Sequence, residues 1–105
     1  MKAAATSRDE VIERCQEAEP DIRKLRVRRI AVFGSVARGD ANADSDVDLL
    51  VEFEPGGKSF DRFLALSDLL EDLLGRRVDL VTTEALSPYI GPHILAEATD
   101  VVRAA

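Results

Sequence analysis

The apolar positions of this chain switch between a helical and a strand period. Ser7 and Glu10 form a capping-box pattern, and Val11, Cys15 and Ala18 then recur at helical spacing, which predicts a first helix from about Ser7 to Glu19. Pro20 ends or kinks it. Asp21 to Leu25 can form a further helical turn, since proline is well tolerated at a first helical position. The period then falls to two. Arg29 to Phe33 reads as a strand stopped by Gly34, and Ser35 to Gly39 as a turn or short helix. Asp46 to Phe53 is the clearest strand, with Val47, Leu49, Val51 and Phe53 on one face and Asp46, Asp48, Leu50 and Glu52 on the other. Pro55-Gly56-Gly57 closes it.

Ser59 can cap the next helix, in which Phe60, Phe63, Leu66, Leu70 and Leu73 make an apolar stripe and Gly75 is placed to end it. Arg77 to Thr82 reads as a short strand, Val78 and Leu80 facing one way, Asp79 and Val81 the other. Glu84 to Ala98 holds two proline-started pieces, at Pro88 and Pro92, and Val101 to Arg103 can add an edge strand. This order predicts an α/β (α+β) fold, a small mixed sheet of three to four strands packed by about four helices. At 105 residues the expectation is a single domain over 1–105, with one core and no room for a separate substrate lid.

Charge narrows the partners. The formal net charge of −6, from 20 acidic and 14 basic residues, argues against direct nucleic-acid binding, which needs a basic face. It also means that a bound nucleoside triphosphate would need divalent cations. The single cysteine, Cys15, excludes an internal disulfide framework and suits a reducing compartment. No stretch reaches the roughly 18 apolar residues of a membrane span and the N-terminus has no apolar signal core, so the expected location is the cytoplasm, away from membranes.

The chemistry concentrates between Gly34 and Asp48. Gly34-Ser35 is followed, after ten residues, by Asp46 and Asp48. A turn of this kind can offer backbone N–H groups to a phosphate, and aspartates at i and i+2 of a strand point the same way, as a shared metal requires. Asp79 supplies a third carboxylate from another strand. Two rival motifs fail at single residues. A calcium loop starting at Asp44 would need glycine and glutamate where the chain has Leu49 and Pro55, and a Walker A loop starting at Gly34 would need lysine where it has Asp40.

Each residue also has a plainer reading. Gly34-Ser35 can be an ordinary turn and Asp46 with Asp48 a solvated strand start, although like charges held on one face favour a bound cation. An aspartate between Val78 and Leu80 is poor strand chemistry and costly if buried unpaired, which makes a function the simpler account of Asp79. His93 reads as a surface helix residue and Cys15 as a small core hydrophobe. Arg23, Lys24, Arg26, Arg28 and Arg29 read as a solvated basic face that could alternatively dock an acidic partner.

Three segments carry a resemblance: Phe33-Gly34-Ser35-Val36-Ala37-Arg38-Gly39, Ser45-Asp46-Val47-Asp48-Leu49-Leu50-Val51 and Arg77-Val78-Asp79-Leu80-Val81-Thr82. In this order and spacing the chain, from Val27 to about Ala98, resembles the minimal nucleotidyltransferases of the DNA polymerase β superfamily, the antitoxin type encoded beside HEPN partners. The resemblance implies a nucleotidyltransferase fold in which Asp46, Asp48 and Asp79 are the catalytic carboxylates and metal ligands. Asp46 and Asp48 would hold two Mg2+ ions, hard cations that prefer oxygen. Asp79 would complete the metal shell and could accept the proton of the attacking hydroxyl. Gly34, Ser35 and Arg38 would bind the nucleotide phosphates.

The function it implies is magnesium-dependent transfer of AMP from ATP to a hydroxyl, a tyrosine, of a cognate HEPN toxin. The chain would act as the antitoxin of a hetero-oligomeric pair. Two alternatives stay open at this point: a non-catalytic antitoxin that neutralises its partner by occlusion, and a nucleotidyltransferase acting on a small alcohol, with a homodimer supplying the missing pocket.

Overall fold

In the computed structural model, residues 3–40, 42 and 45–103 are described. Four strands form one mixed sheet: β1 (Val27–Phe33), β2 (Val47–Phe53), β3 (Val78–Thr82) and β4 (Thr99–Arg103), in the order β3-β2-β1-β4. β1 runs antiparallel to both β2 and β4, while β2 and β3 are parallel. Among the described residues five α-helices accompany the sheet: α1 (Arg8–Glu17), α2 (Glu19–Arg23), α3 (Gly34–Arg38), α4 (Phe60–Leu74) and α5 (Gly91–Glu97). The α/β architecture expected from the alternating periods is the one observed.

Local chemistry sets the helix ends. Ser7 Oγ accepts the Glu10 N–H at 3.1 Å, and Glu10 Oε1 reaches back to the Thr6 N–H at 3.0 Å. Ser59 Oγ accepts the Arg62 N–H at 3.1 Å, and Gly75, at φ 64°, takes the left-handed conformation that ends α4. The parallel β2–β3 pair needs a long crossover, and the fifteen residues of α4 provide it.

One face of the sheet carries the main core. Val47, Leu49 and Val51 are fully enclosed there with Ile30, Val32, Leu66, Leu70 and Leu74. Each leucine enclosed in this way is worth about 1.5–3 kcal/mol relative to exposure. Val27 reaches the same core because β1 bulges between Val27 and Arg29, putting two residues of β1 opposite one of β2. A register shift opposite Ile30 and Ala31 lets consecutive Val101 and Val102 both enter it from β4. The other face holds a smaller cluster, Ala31, Phe33 and Leu50, packed against Val81, Leu86, Ile94 and Ala98.

Several expectations are corrected. Phe60 does not belong to the buried stripe of α4; it is 76% exposed, and Leu74 lies in the core instead. α1 stops at Glu17, β1 starts two residues before Arg29, and helix α5 starts at Gly91 rather than at either proline. The basic cluster lies at the surface, as read, and its members Arg23, Lys24, Arg26, Arg28 and Arg29 pair there with Glu19, Asp21, Glu54, Glu52 and Asp100. His93 is exposed and Cys15 buried, as read from the sequence. No helix among the described residues is long and apolar enough to cross a membrane.

Candidate active site

The second face of the sheet is apolar at its middle and acidic at one end. β2 places Asp48 one step along that face from Leu50, and the parallel register sets Asp48 directly beside Asp79 of β3. On the other side Asp48 is opposite Phe33, the last residue of β1, so the chain reverses into α3 immediately next to the carboxylates. The reversal depends on Gly34. Its φ of +71° is left-handed, and a Cβ there would lie 2.1 Å from Asp48 Oδ2. Glycine is therefore required both by the turn and by the aspartate it faces.

The like charges leave a signature on Asp48. Its carboxyl is pushed above the ordinary aspartate range, first by burial, then by the neighbouring charges of Asp79 and Asp46, with Arg38 pulling the other way. Asp46 is half-buried, with Oδ1 3.5 Å from Arg77 Nε. Asp79 is exposed on the edge strand, which corrects the expectation that burial makes its charge costly; proximity to Asp48 is what distinguishes it. Among the described residues no three His, Cys, Asp or Glu side chains stand as a finished metal cage. The structure thus puts Asp48 and Asp79 side by side and Asp46 within their electrostatic reach, without closing the three around one point.

Two of the three predicted phosphate-binding residues, Gly34 and Arg38, also meet, and around a residue with no motif of its own. Glu97, the last residue of α5, accepts the Gly34 N–H at 2.5 Å and Arg38 Nη1 at 2.8 Å through the same oxygen, Oε1. Arg38 also donates to Asp40 Oδ2 at 3.2 Å, and these two contacts hold its guanidinium above its already high value. Ser35 sits half-buried in the first turn of α3, where its carbonyl accepts the Asp40 N–H at 2.9 Å. A cleft of about 340 Å³ opens beside α3, between Val36–Gly39 and the residues that start α1, and Arg38 is part of its wall.

The site thus holds an internal carboxylate, that of Glu97, on a left-handed glycine N–H and an arginine, beside paired aspartates on adjoining strands. Residues 8–101 match the model of the nucleotidyltransferase domain family. The chain belongs to this family. Protein adenylyltransferase MntA of Thermococcus cleftensis is 49% identical to it over 75 residues, 71% of this chain and 75% of that protein. A candidate protein adenylyltransferase of Methanocaldococcus jannaschii is 41% identical over 83 residues, 79% of this chain and 88% of its own length.

Among solved structures, a candidate minimal nucleotidyltransferase aligns at TM-score 0.80 and 37% identity, covering 92% of this chain and 98% of that one. A chain of the complex between the tri-AMPylated Shewanella oneidensis HEPN toxin and its MNT antitoxin shares the fold at TM-score 0.55 and 21% identity, covering 85% and 72%. The nucleotidyltransferase match spans all three motifs on which the resemblance was drawn and bears it out.

Proposed function

We propose that this nucleotidyltransferase is a protein adenylyltransferase that moves AMP from ATP to a tyrosine hydroxyl of a HEPN-type toxin, silences it, and so acts as its antitoxin. The observation that carries the reading is the register of β2, which sets Asp48 beside Asp79 and against the Gly34 turn. The names of the relatives, protein adenylyltransferases, supply the reaction class.

The donor set fits magnesium. Asp46, Asp48 and Asp79 offer only carboxylate oxygen, and the Asp48 carboxyl, raised by burial and then by the charges of Asp79 and Asp46, carries a cost that a cation would relieve. When bound, the ions supply Lewis acidity and neutralise charge on the reacting phosphate. The chain's own part is positional. Asp48 and Asp46 would hold those ions at the end of β2 that faces the Gly34 turn. The Gly34 N–H, the Ser35 hydroxyl and Arg38 hold the non-bridging oxygens of the triphosphate once the Glu97 carboxylate has yielded its two donors. Asp79, exposed on the edge strand, can receive the proton of an incoming hydroxyl. The acceptor oxygen then bonds to the α-phosphorus, the bond to the bridging oxygen breaks, and pyrophosphate leaves.

The test is incubation of this protein and the HEPN-type protein encoded beside it with magnesium and ATP labelled at the α-phosphate. Label should appear on a partner tyrosine and the partner's activity should fall. Asp46→Ala should abolish both. Neutralisation that survives Asp46→Ala without label would establish occlusion in place of catalysis.

A further inference from the structure

Among the described residues Arg76 is the one buried charged side chain, with 9% of its surface exposed. It makes no ion pair with a carboxylate of those residues; its guanidinium is spent on carbonyls from two distant segments. Nη1 donates to Ala5 O at 3.1 Å, in the lead-in to α1. Nη2 donates to Asn42 O at 2.8 Å and to Ser45 O. Nε is buried and has no partner among the described residues. A buried cation with an unmet donor costs stability, and an apolar side chain of similar size would serve a core equally well. The fork of donors must therefore be doing something that packing alone does not require.

What it holds is the approach to Asp46. Asn42 and Ser45 are bonded to each other twice: Ser45 N–H donates to Asn42 O at 3.1 Å, and Asn42 N–H donates to Ser45 Oγ at 3.2 Å. Asp46 follows immediately and precedes the first residue of β2, Val47, so the β2–β3 ladder reaches it from its C-terminal side alone. Two contacts fix its flanking peptides. The Ser45–Asp46 peptide is held through its carbonyl by Arg76, and the Asp46–Val47 peptide through its N–H by Arg77 O at 2.9 Å. Both peptide planes flanking Asp46 are thus tied to residues 76 and 77, the pair that leads into β3 and Asp79.

We propose that Arg76 is a positioning residue for the metal site: its guanidinium sets the backbone on which Asp46 is presented, and so aligns that carboxylate with Asp48 and Asp79. The proposal rests on the reading of those three aspartates as metal ligands. Lysine cannot substitute, because a single ammonium on a flexible stem cannot span Ala5 O and the two turn carbonyls as a planar fork does.

The test uses the free protein, without nucleotide or partner. Mn2+ binding is measured by electron paramagnetic resonance for the wild type, Arg76→Lys, Arg76→Met and, as a core-destabilised control, Leu70→Ala, each checked for folding by circular dichroism. Both Arg76 variants should bind Mn2+ at least about tenfold more weakly, the scale seen when an outer support of a metal ligand is lost, while Leu70→Ala keeps wild-type affinity. A folded Arg76 variant within twofold of wild type overturns the proposal.

Amide exchange separates this from the metal-site reading itself. In Arg76→Lys the Ser45 and Val47 amides should exchange faster while those of Leu49 and Val51 stay protected; unchanged exchange at 45 and 47 overturns the positioning role even if wild type binds no Mn2+. The wild type gives a check that needs no variant. Linkage is reciprocal, so saturating Mg2+ should slow exchange of the Arg76 guanidinium protons, and exchange indifferent to the ion overturns the proposal.

Discussion

The two faces of the sheet are made from alternate residues of the same strands, yet they solve opposite problems. On one face β2 offers Val47, Leu49, Val51 and Phe53, all buried against the main core of helices and strands. On the other, the same strand offers Asp48, Leu50 and Glu52, of which Leu50 alone is buried. The first face gains from every neighbour it acquires. The second brings carboxylates together against their mutual repulsion, and the fold holds them there because the register that packs Leu49 also fixes Asp48. Stability and chemistry are thus linked through one strand, and mutation should be able to pull them apart.

The largest separation is expected at adjacent positions. Asp48→Ala should lower adenylyl transfer by on the order of 10³-fold, comparable to removal of a principal transition-state contact, with the fold intact by circular dichroism. Leu49→Ala should do the reverse, costing about 2–5 kcal/mol in urea unfolding through the cavity it leaves, while the folded fraction keeps its specific activity. If both substitutions damage the same property, the division between the faces is wrong.

Glu97→Gln tests whether the second face is held closed by its own anion. The carboxylate occupies the Gly34 N–H and Arg38, the donors that the proposed function gives to an incoming phosphate. Neutralising it should tighten nucleotide binding, measured by calorimetry, by up to about fivefold, the scale of an exposed ion pair of at most about 1 kcal/mol. Weaker binding would mean instead that Glu97 supports the turn. Asp48→Asn should raise the melting temperature in metal-free buffer by a few degrees, because it removes one charge from a crowded set.

The gentlest probe lies on the core face. Burial pushes the Cys15 thiol up to about 12, so the folded state keeps a proton that the unfolded chain gives up near the ordinary value of 9.0. The unfolded state then binds fewer protons, and stability should decline gradually as pH rises from about 9 toward 12. Cys15→Ala should flatten that slope in alkaline urea titrations.

Much of this division is legible in the chain. The period-two runs and the caps at Ser7, Ser59 and Gly75 depend on near neighbours, and sequence carries near neighbours directly. The Gly34-Ser35 turn and the i, i+2 aspartates Asp46 and Asp48 are legible for the same reason, whereas the pairing of Asp48 with Asp79 is set by strand register. The helical period puts Phe60 on the apolar stripe because it says which side of α4 is apolar, not how far the sheet beneath it extends. The early start of β1 is hidden by the bulge, which breaks the alternation at Arg28. Asp79 was expected to be costly to bury, but β3 is an edge strand and leaves it exposed. Glu97 and Arg76 escaped altogether. Their partners at the site lie 59 and 63 residues from Glu97 and 31 and 34 from Arg76, and no such distance leaves a periodic trace.

The contact between Gly34 and Asp48 also constrains descent. With a Cβ at position 34 falling on the Asp48 carboxylate and the turn already left-handed, the two residues form a unit that can be lost but not easily exchanged. A lineage that abandons catalysis by shrinking position 48 removes half of the constraint on position 34, while the left-handed turn maintains the other half. Asn or Asp, which tolerate that conformation, are then the first replacements to look for. An inactive descendant should therefore be recognisable by its turn as well as by its missing carboxylate.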